Sequence, residues 1–317
     1  MVRDTICQKL RLQPAEFFML LVSLATLTID AILIILNDAR IDVAAYGSLL
    51  ALAIFVSSLG MFYRITGRSE RIASAAMCSA IFIFFSACLS LFNYLLLPLH
   101  TPLLDPVLTA WDKMFGYHWP SVLAWAAENP WPTLIFKWAY MSTIPQFAAL
   151  VVILGLGGRL KELHIMISSI TITATLTICF WGIAPSVGPG TIYDISPEIW
   201  AAIGAVADKN YSMEIAGLAI TGPEVISPTE IRGLIAFPSY HAVLAFTAMY
   251  AARTVRFVGP VFFLINLLII PGIFIHGSHH LVDLFAGFAM FAFGTWLSFK
   301  AVNKDYSRLN KPEFVTV

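Results

Sequence analysis

The sequence predicts an all-α, polytopic membrane bundle of about eight transmembrane helices with an added interfacial amphipathic helix. Three observations predict it. Of 317 residues, 59% are hydrophobic and only 12% are charged, about half the charged share of a soluble domain. Mean hydropathy is +0.81. Apolar runs of about 18 residues or more recur along the chain, each long enough to cross a bilayer as a helix. The formal net charge is zero, so no basic field points to nucleic acid. Cys7, Cys78, Cys88 and Cys179 have neither metal nor redox spacing and are expected to be free thiols.

The runs follow in order. The first, near Phe17–Leu36, is long and lacks a small-residue cleavage site, so it reads as a transmembrane helix and not as a removed signal. The second and third lie near Val43–Tyr63 and Ile72–Leu97. Thr101–Trp131 is rich in Trp and Pro and carries Asp105, Asp112 and Lys113, the composition of an amphipathic helix lying in the interface. Spans four and five fall near Thr133–Leu156 and Leu163–Ile183. The Gly-, Pro- and acid-containing stretch Ala184–Ala236 suits a loop in water. The last three spans are near Pro238–Thr254, Phe257–Ile275 and Leu281–Ala301. The chain thus divides into N-terminal helices (1–97), an interfacial segment (98–132) and a helical core (133–317) with an outer loop at 184–236.

Charge orients these elements. Arg3, Lys9, Arg11, Arg64, Arg68, Arg71, Arg159, Lys161, Arg253, Arg256, Lys300, Lys304, Arg308 and Lys311 all fall on one side of an eight-span bundle. Arg40, Lys113, Lys137, Lys209 and Arg232 fall on or near the other. The positive-inside rule makes the first side cytoplasmic. Both termini are then cytoplasmic, and the starts of spans six and eight lie together at the outer face.

Those two starts carry the polar residues. Four of the seven histidines, His241, His276, His279 and His280, lie between Phe237 and Gly287. Asp283 follows His279 by four residues, which puts both on one helical face a turn apart. A charged Asp within a span costs roughly 2.5–3.5 kcal/mol on insertion scales, so it requires a partner, and His279 is within reach. The carboxylate would hold Nδ1–H and leave Nε2 free as a nucleophile or base. His241 would be a second acid/base group if the fold joins the two clusters.

At these residues the chain resembles a family. Pro238-Ser239-Tyr240-His241 is similar to the Pro-Ser-x-His motif of the type 2 phosphatidic acid phosphatase superfamily. Gly277-Ser278-His279-His280-Leu281-Val282-Asp283 is similar to that superfamily's last motif, which ends His-x-x-x-Asp. Asp105 to Pro120, with Ala184-Pro185-Ser186-Val187-Gly188-Pro189, resembles the inositolphosphotransferase-like branch that makes inositol phosphorylceramide. The resemblance implies a lipid phosphatase or phosphotransferase acting on a lipid phosphate or phospholipid. Its implied site has His279 as the nucleophile that becomes phosphohistidine, Asp283 as its orienting carboxylate, His241 as general acid and Ser239 as a hydroxyl near the phosphate. It implies no metal and no cofactor. The branch, with the compact loops, favours a bacterial inner membrane with a periplasmic active site, and a Golgi or plasma membrane stays open as the alternative.

Two features of the superfamily are missing. Its Lys and Arg-Pro motif has no copy here, and Gly272-Ile273 stand where its last motif has Ser-Arg. Phosphoryl transfer needs cationic stabilisation, and Arg232, Lys137 and His276 are the candidates, in that order. Two other readings of the residues stay open. His241, His276, His279, His280 and Asp283 have the donor types of a zinc-dependent hydrolase, although no His-Glu-x-x-His occurs. Intramembrane Asp and His also mark transporters, although no inverted repeat is visible. A chelator separates the metal reading from the others.

Overall fold

A computed structural model describes residues 12–309. Arg3, Cys7, Lys9, Arg11 and Lys311 lie outside the described residues. Thirteen α-helices make up the described chain, with no strand beyond a single bridge between Ile41 and Ile226. The helices are α1 (Pro14–Asn37), α2 (Val43–Thr66), α3 (Glu70–Leu95), α4 (Asp105–Met114), α5 (Trp119–Glu128), α6 (Pro130–Met141), α7 (Thr143–Leu156), α8 (Leu160–Ile183), α9 (Pro197–Ile203), α10 (Lys209–Thr221), α11 (Tyr240–Ala252), α12 (Val258–His276) and α13 (Leu281–Leu309).

Six of these, α1, α2, α3, α8, α12 and α13, are long and apolar enough to cross a membrane. A seventh span forms if α6 and α7, bent by 50° at Ser142, count as one. The polytopic helical bundle is as expected, with six to seven helices of span length and the expected sixth span present as the shorter α11. The apolar run from Pro238 to Thr254 folds as a 13-residue helix, about 20 Å long against about 30 Å of hydrocarbon. Ser239 starts it as N-cap, and the chain turns after Ala252. The interfacial stretch also differs, because it is broken into the ten-residue helices α4 and α5. The outer loop carries α9 and α10.

α11 sits at the middle of the bundle. Its buried positions include Ala242, Ala245, Ala248, Ala251 and Ala252, small residues that let α7, α8, α12 and α13 approach it from several sides. α2 is the opposite case. It exposes Leu50, Leu52, Ile54, Phe55, Leu59 and Phe62, an apolar face that only a lipid environment leaves unpenalised.

Two polar knots hold the ends. At one end Arg64 makes two 2.8 Å bonds to the buried Glu16 and a third, at 3.0 Å, to Glu70, tying α1, α2 and α3 together. At the other end the starts of α11 and α13 meet, where Ser239 N donates to the Asp283 carbonyl at 3.1 Å. Gly287 makes this meeting close. A Cβ there would lie 2.6 Å from the Ser239 carbonyl oxygen and 2.8 Å from the Ala242 methyl.

Candidate active site

The start of α13 is built around Asp283. As third residue of the helix, it turns its carboxylate back to the N–H of His280 at 2.8 Å, half of a capping box. The same oxygen, Oδ2, receives the Nδ1–H of His279 at 3.0 Å. One carboxylate thus caps the helix and fixes the imidazole, and in the neutral ring with its proton on Nδ1 the Nε2 atom keeps its lone pair. Both side chains are buried.

Nε2 of His279 faces Ser239 Oγ at 3.5 Å. Ser239 is the N-cap of α11 and its hydroxyl accepts from Ala242 N at 3.4 Å. The first N–H groups of a helix have no acceptor within it, so the start of α11 presents donors beside Nε2, the geometry that suits an anion. His241, two residues into this corner, lies 6.5 Å from His279 between ring centroids. Its other face stacks on Tyr140 at 4.2 Å, and its Nδ1 lies 3.4 Å from the Tyr140 hydroxyl. The structure therefore gathers His241, His279, Asp283 and Ser239 into one corner.

The three cationic candidates are engaged elsewhere. Arg232 pairs with Glu214 at 3.3 Å on the exposed face of the outer loop, and its backbone N donates to the Tyr94 hydroxyl. Lys137 donates to the Gly204 carbonyl at 2.7 Å, one turn before Tyr140 on α6. His276 is buried and binds the Thr133 carbonyl through Nε2 at 3.0 Å. Among the described residues none of the three bonds to His241 or His279.

A second buried group adjoins the first and was not assembled from the sequence. His280 Nδ1 lies 2.8 Å from Asp112 Oδ2, and its Nε2 lies 3.4 Å from Asp105 Oδ1. Asp112 Oδ1 also accepts from Leu281 N at 3.0 Å, completing the cap of α13. Asp105 accepts from Ser186 Oγ at 2.9 Å and from the N–H groups of Val187 and Gly188 at 3.1 and 2.7 Å. Gly188 has φ +97° and runs against Ser278, a conformation and an approach that no side chain fits. Burial alone would push the His280 imidazole down. The carboxylates of Asp105, 3.4 Å from Nε2, and Asp112, hydrogen-bonded to Nδ1, with Asp283 nearby, outweigh it and raise His280 from 6.5 to about 9. His280 is therefore an imidazolium at neutral pH. It locks α4 and the 184–190 turn onto the two residues that flank His279. Only the recurrence of Asp at 105 and 112, two turns apart, hinted at this in the sequence.

Comparison with known proteins adds one match: the model of the PAP2 superfamily covers residues 106–297, from α4 to α13. No curated protein and no solved structure matches the chain.

Proposed function

The chain belongs to the PAP2 superfamily, and from that premise we propose that it is an integral membrane lipid phosphatase or phosphotransferase of the phosphohistidine type. Membership supports phosphatase-type activity in general, and the apolar helices support a membrane enzyme. The observation that carries the finer reading is the His279–Asp283 pair facing Ser239 and His241 across the starts of α13 and α11.

In this reading Nε2 of His279 attacks phosphorus. An N–P bond forms as the bond from phosphorus to the leaving oxygen breaks, and His241 gives that oxygen its proton. Asp283 keeps Nδ1–H and stabilises the imidazolium that develops. The now neutral His241 takes a proton from water or an alcohol, whose oxygen attacks phosphorus and frees His279. Burial and then the neighbouring His279 imidazole disfavour the charged form of His241, and a phosphate dianion between the two rings reverses that preference. The start of α11, with Ser239, forms the phosphate cradle. Of the cationic candidates, Lys137 stands before Arg232 and His276. It lies one turn from Tyr140, which stacks on His241, and a single surface carbonyl holds its ammonium. No metal or cofactor takes part.

The inositolphosphotransferase-like branch is the finer family assignment we infer. The two segments that carry that likeness, 105–120 and 184–189, are joined through Asp105. We place the enzyme in a bacterial inner membrane, with residues 133–317 as its catalytic core and its site on the periplasmic side. The test is phosphate release from a panel of lipid phosphates by purified protein in detergent with EDTA. Turnover of at least one lipid phosphate without divalent metal supports the reading. Activity that EDTA abolishes and zinc restores supports a metal hydrolase.

A further inference from the structure

A sizeable cavity lies away from the histidines. It has a volume of about 870 Å³, within the usual size range of small-ligand sites, and none of His241, His279 or Asp283 lines it. It opens where the α1–α2 turn, the segment after α3, the end of α8 and the segment after α10 converge. These walls are tied together. Ile226 N donates to the Arg40 carbonyl at 2.9 Å, Asp42 N to the Ile226 carbonyl at 3.0 Å and Leu99 N to the Ala219 carbonyl at 2.8 Å. Asn37 Nδ2 donates to the Leu95 carbonyl at 3.2 Å.

Two features define what fits. The lining carries Arg40 and His100 together with Asp38 and Glu224. Among the described residues the Arg40 side chain pairs with neither carboxylate, so one lining holds a cation and two carboxylates that do not neutralise it directly. A ligand carrying both signs matches such a wall better than a singly charged one. The second feature is depth. Leu36, Ile183 and Ile220 each adjoin a lining residue, and they are 73%, 76% and 77% exposed. Aliphatic side chains so bare beside a charged cavity mark the level where acyl chains meet head groups. Tyr94 is the one Phe, Tyr or Trp in the lining, so no aromatic cage is present for a quaternary ammonium.

We propose that this cavity binds the head group of a zwitterionic phospholipid bearing a primary ammonium, with the phosphate on Arg40 and the ammonium on Glu224 and Asp38. It is separate from the histidine site, and the inference does not rest on the chemistry proposed there.

The experiment is native mass spectrometry of the delipidated full chain in detergent. The protein is titrated with phosphatidylethanolamine, phosphatidylglycerol and phosphatidylcholine of identical acyl chains, and separately with soluble phosphoethanolamine. Phosphatidylethanolamine is expected to bind about tenfold tighter than either other lipid, and Arg40→Gln and Glu224→Gln each to weaken it by about tenfold. Both positions are exposed, so the variants should insert normally. His279→Ala should bind it as the unaltered protein does. Equal affinity for the three lipids, or unchanged binding in both cavity variants, overturns the proposal. Displacement by equimolar phosphoethanolamine overturns the lipid source, and loss of binding in His279→Ala would put the lipid at the histidines instead.

Discussion

At the residue scale, the proposal assigns each side chain of the corner a distinct kinetic signature. His241→Ala is expected to slow turnover by roughly 10²–10⁴-fold on a lipid phosphate. The loss should be much smaller on a nitrophenyl phosphate, whose leaving anion needs no proton. Asp283→Asn keeps the volume but favours the wrong tautomer of His279, and it also weakens the helix cap. It should therefore lose both rate and some thermal stability, whereas His241→Ala loses rate alone. Steady-state kinetics with both substrates, alongside melting curves, separates the two. A second comparison concerns the cation. Lys137→Met should raise KM for a lipid phosphate by about tenfold, while Arg232→Gln, whose ion pair is exposed, should leave it within about twofold. The reverse order would move the phosphate clamp to the outer loop. Sequence reading reached His279 and Asp283 because four-residue spacing on a helix is a local signal. It offered His241 as a candidate from the clustering of histidines and gave it a role only through a motif, because His241 is 38 positions from His279 and no periodicity spans them. The engagements of Arg232 with Glu214 and of His276 with Thr133 were illegible, because they depend on how the outer loop and α6 fold back.

At the element scale, the latch formed by His280, Asp105 and Asp112 holds α4 against the start of α13. Its partners lie 168 positions or more apart, beyond any local signal. Its contribution should depend on pH. The folded-state value of His280, about 9, lies above the ordinary 6.5, so folding stabilises the protonated form. That stability is fully present below about pH 6.5 and is lost as pH rises toward 9, a difference on the order of 3 kcal/mol. Thermal unfolding in detergent should therefore show Tm falling across this window. His280→Gln should start lower and lose that slope, and an unchanged slope would mean that the imidazole is not charged in the fold. Element type was legible throughout, since every long apolar run became a helix. Element length was not. The run that became α11 has the composition of a span, but a Ser N-cap at one end and a turn at the other leave it short. The interfacial stretch divides at residues 115–118, where Gly116 takes a φ of +73° and Pro120 sits in the first turn of α5.

At the scale of the whole molecule, α11 and α13 start at one end of the bundle, together with the outer loop, and the Arg64–Glu16 knot closes the other. The lysine and arginine distribution supports an outward-facing histidine site. Asn210 is exposed in the first turn of α10, so Asn210→Cys is expected to react with an impermeant thiol reagent in intact cells. Labelling only after the membrane is broken would turn the site toward the cytoplasm. α11, although short, carries the chain from the site end to the turn before α12, as the expected sixth span does. The most direct measurement is chemical trapping of the phosphoenzyme. The full chain, in detergent with EDTA, is mixed with a lipid substrate radiolabelled in its phosphoryl group, quenched rapidly and mapped by peptide. The expected result is an alkali-stable, acid-labile phosphate on the peptide that contains His279, absent from His279→Ala, which also shows no turnover. Full turnover of the lipid phosphate by His279→Ala, or a covalent phosphate on any other residue, would contradict it.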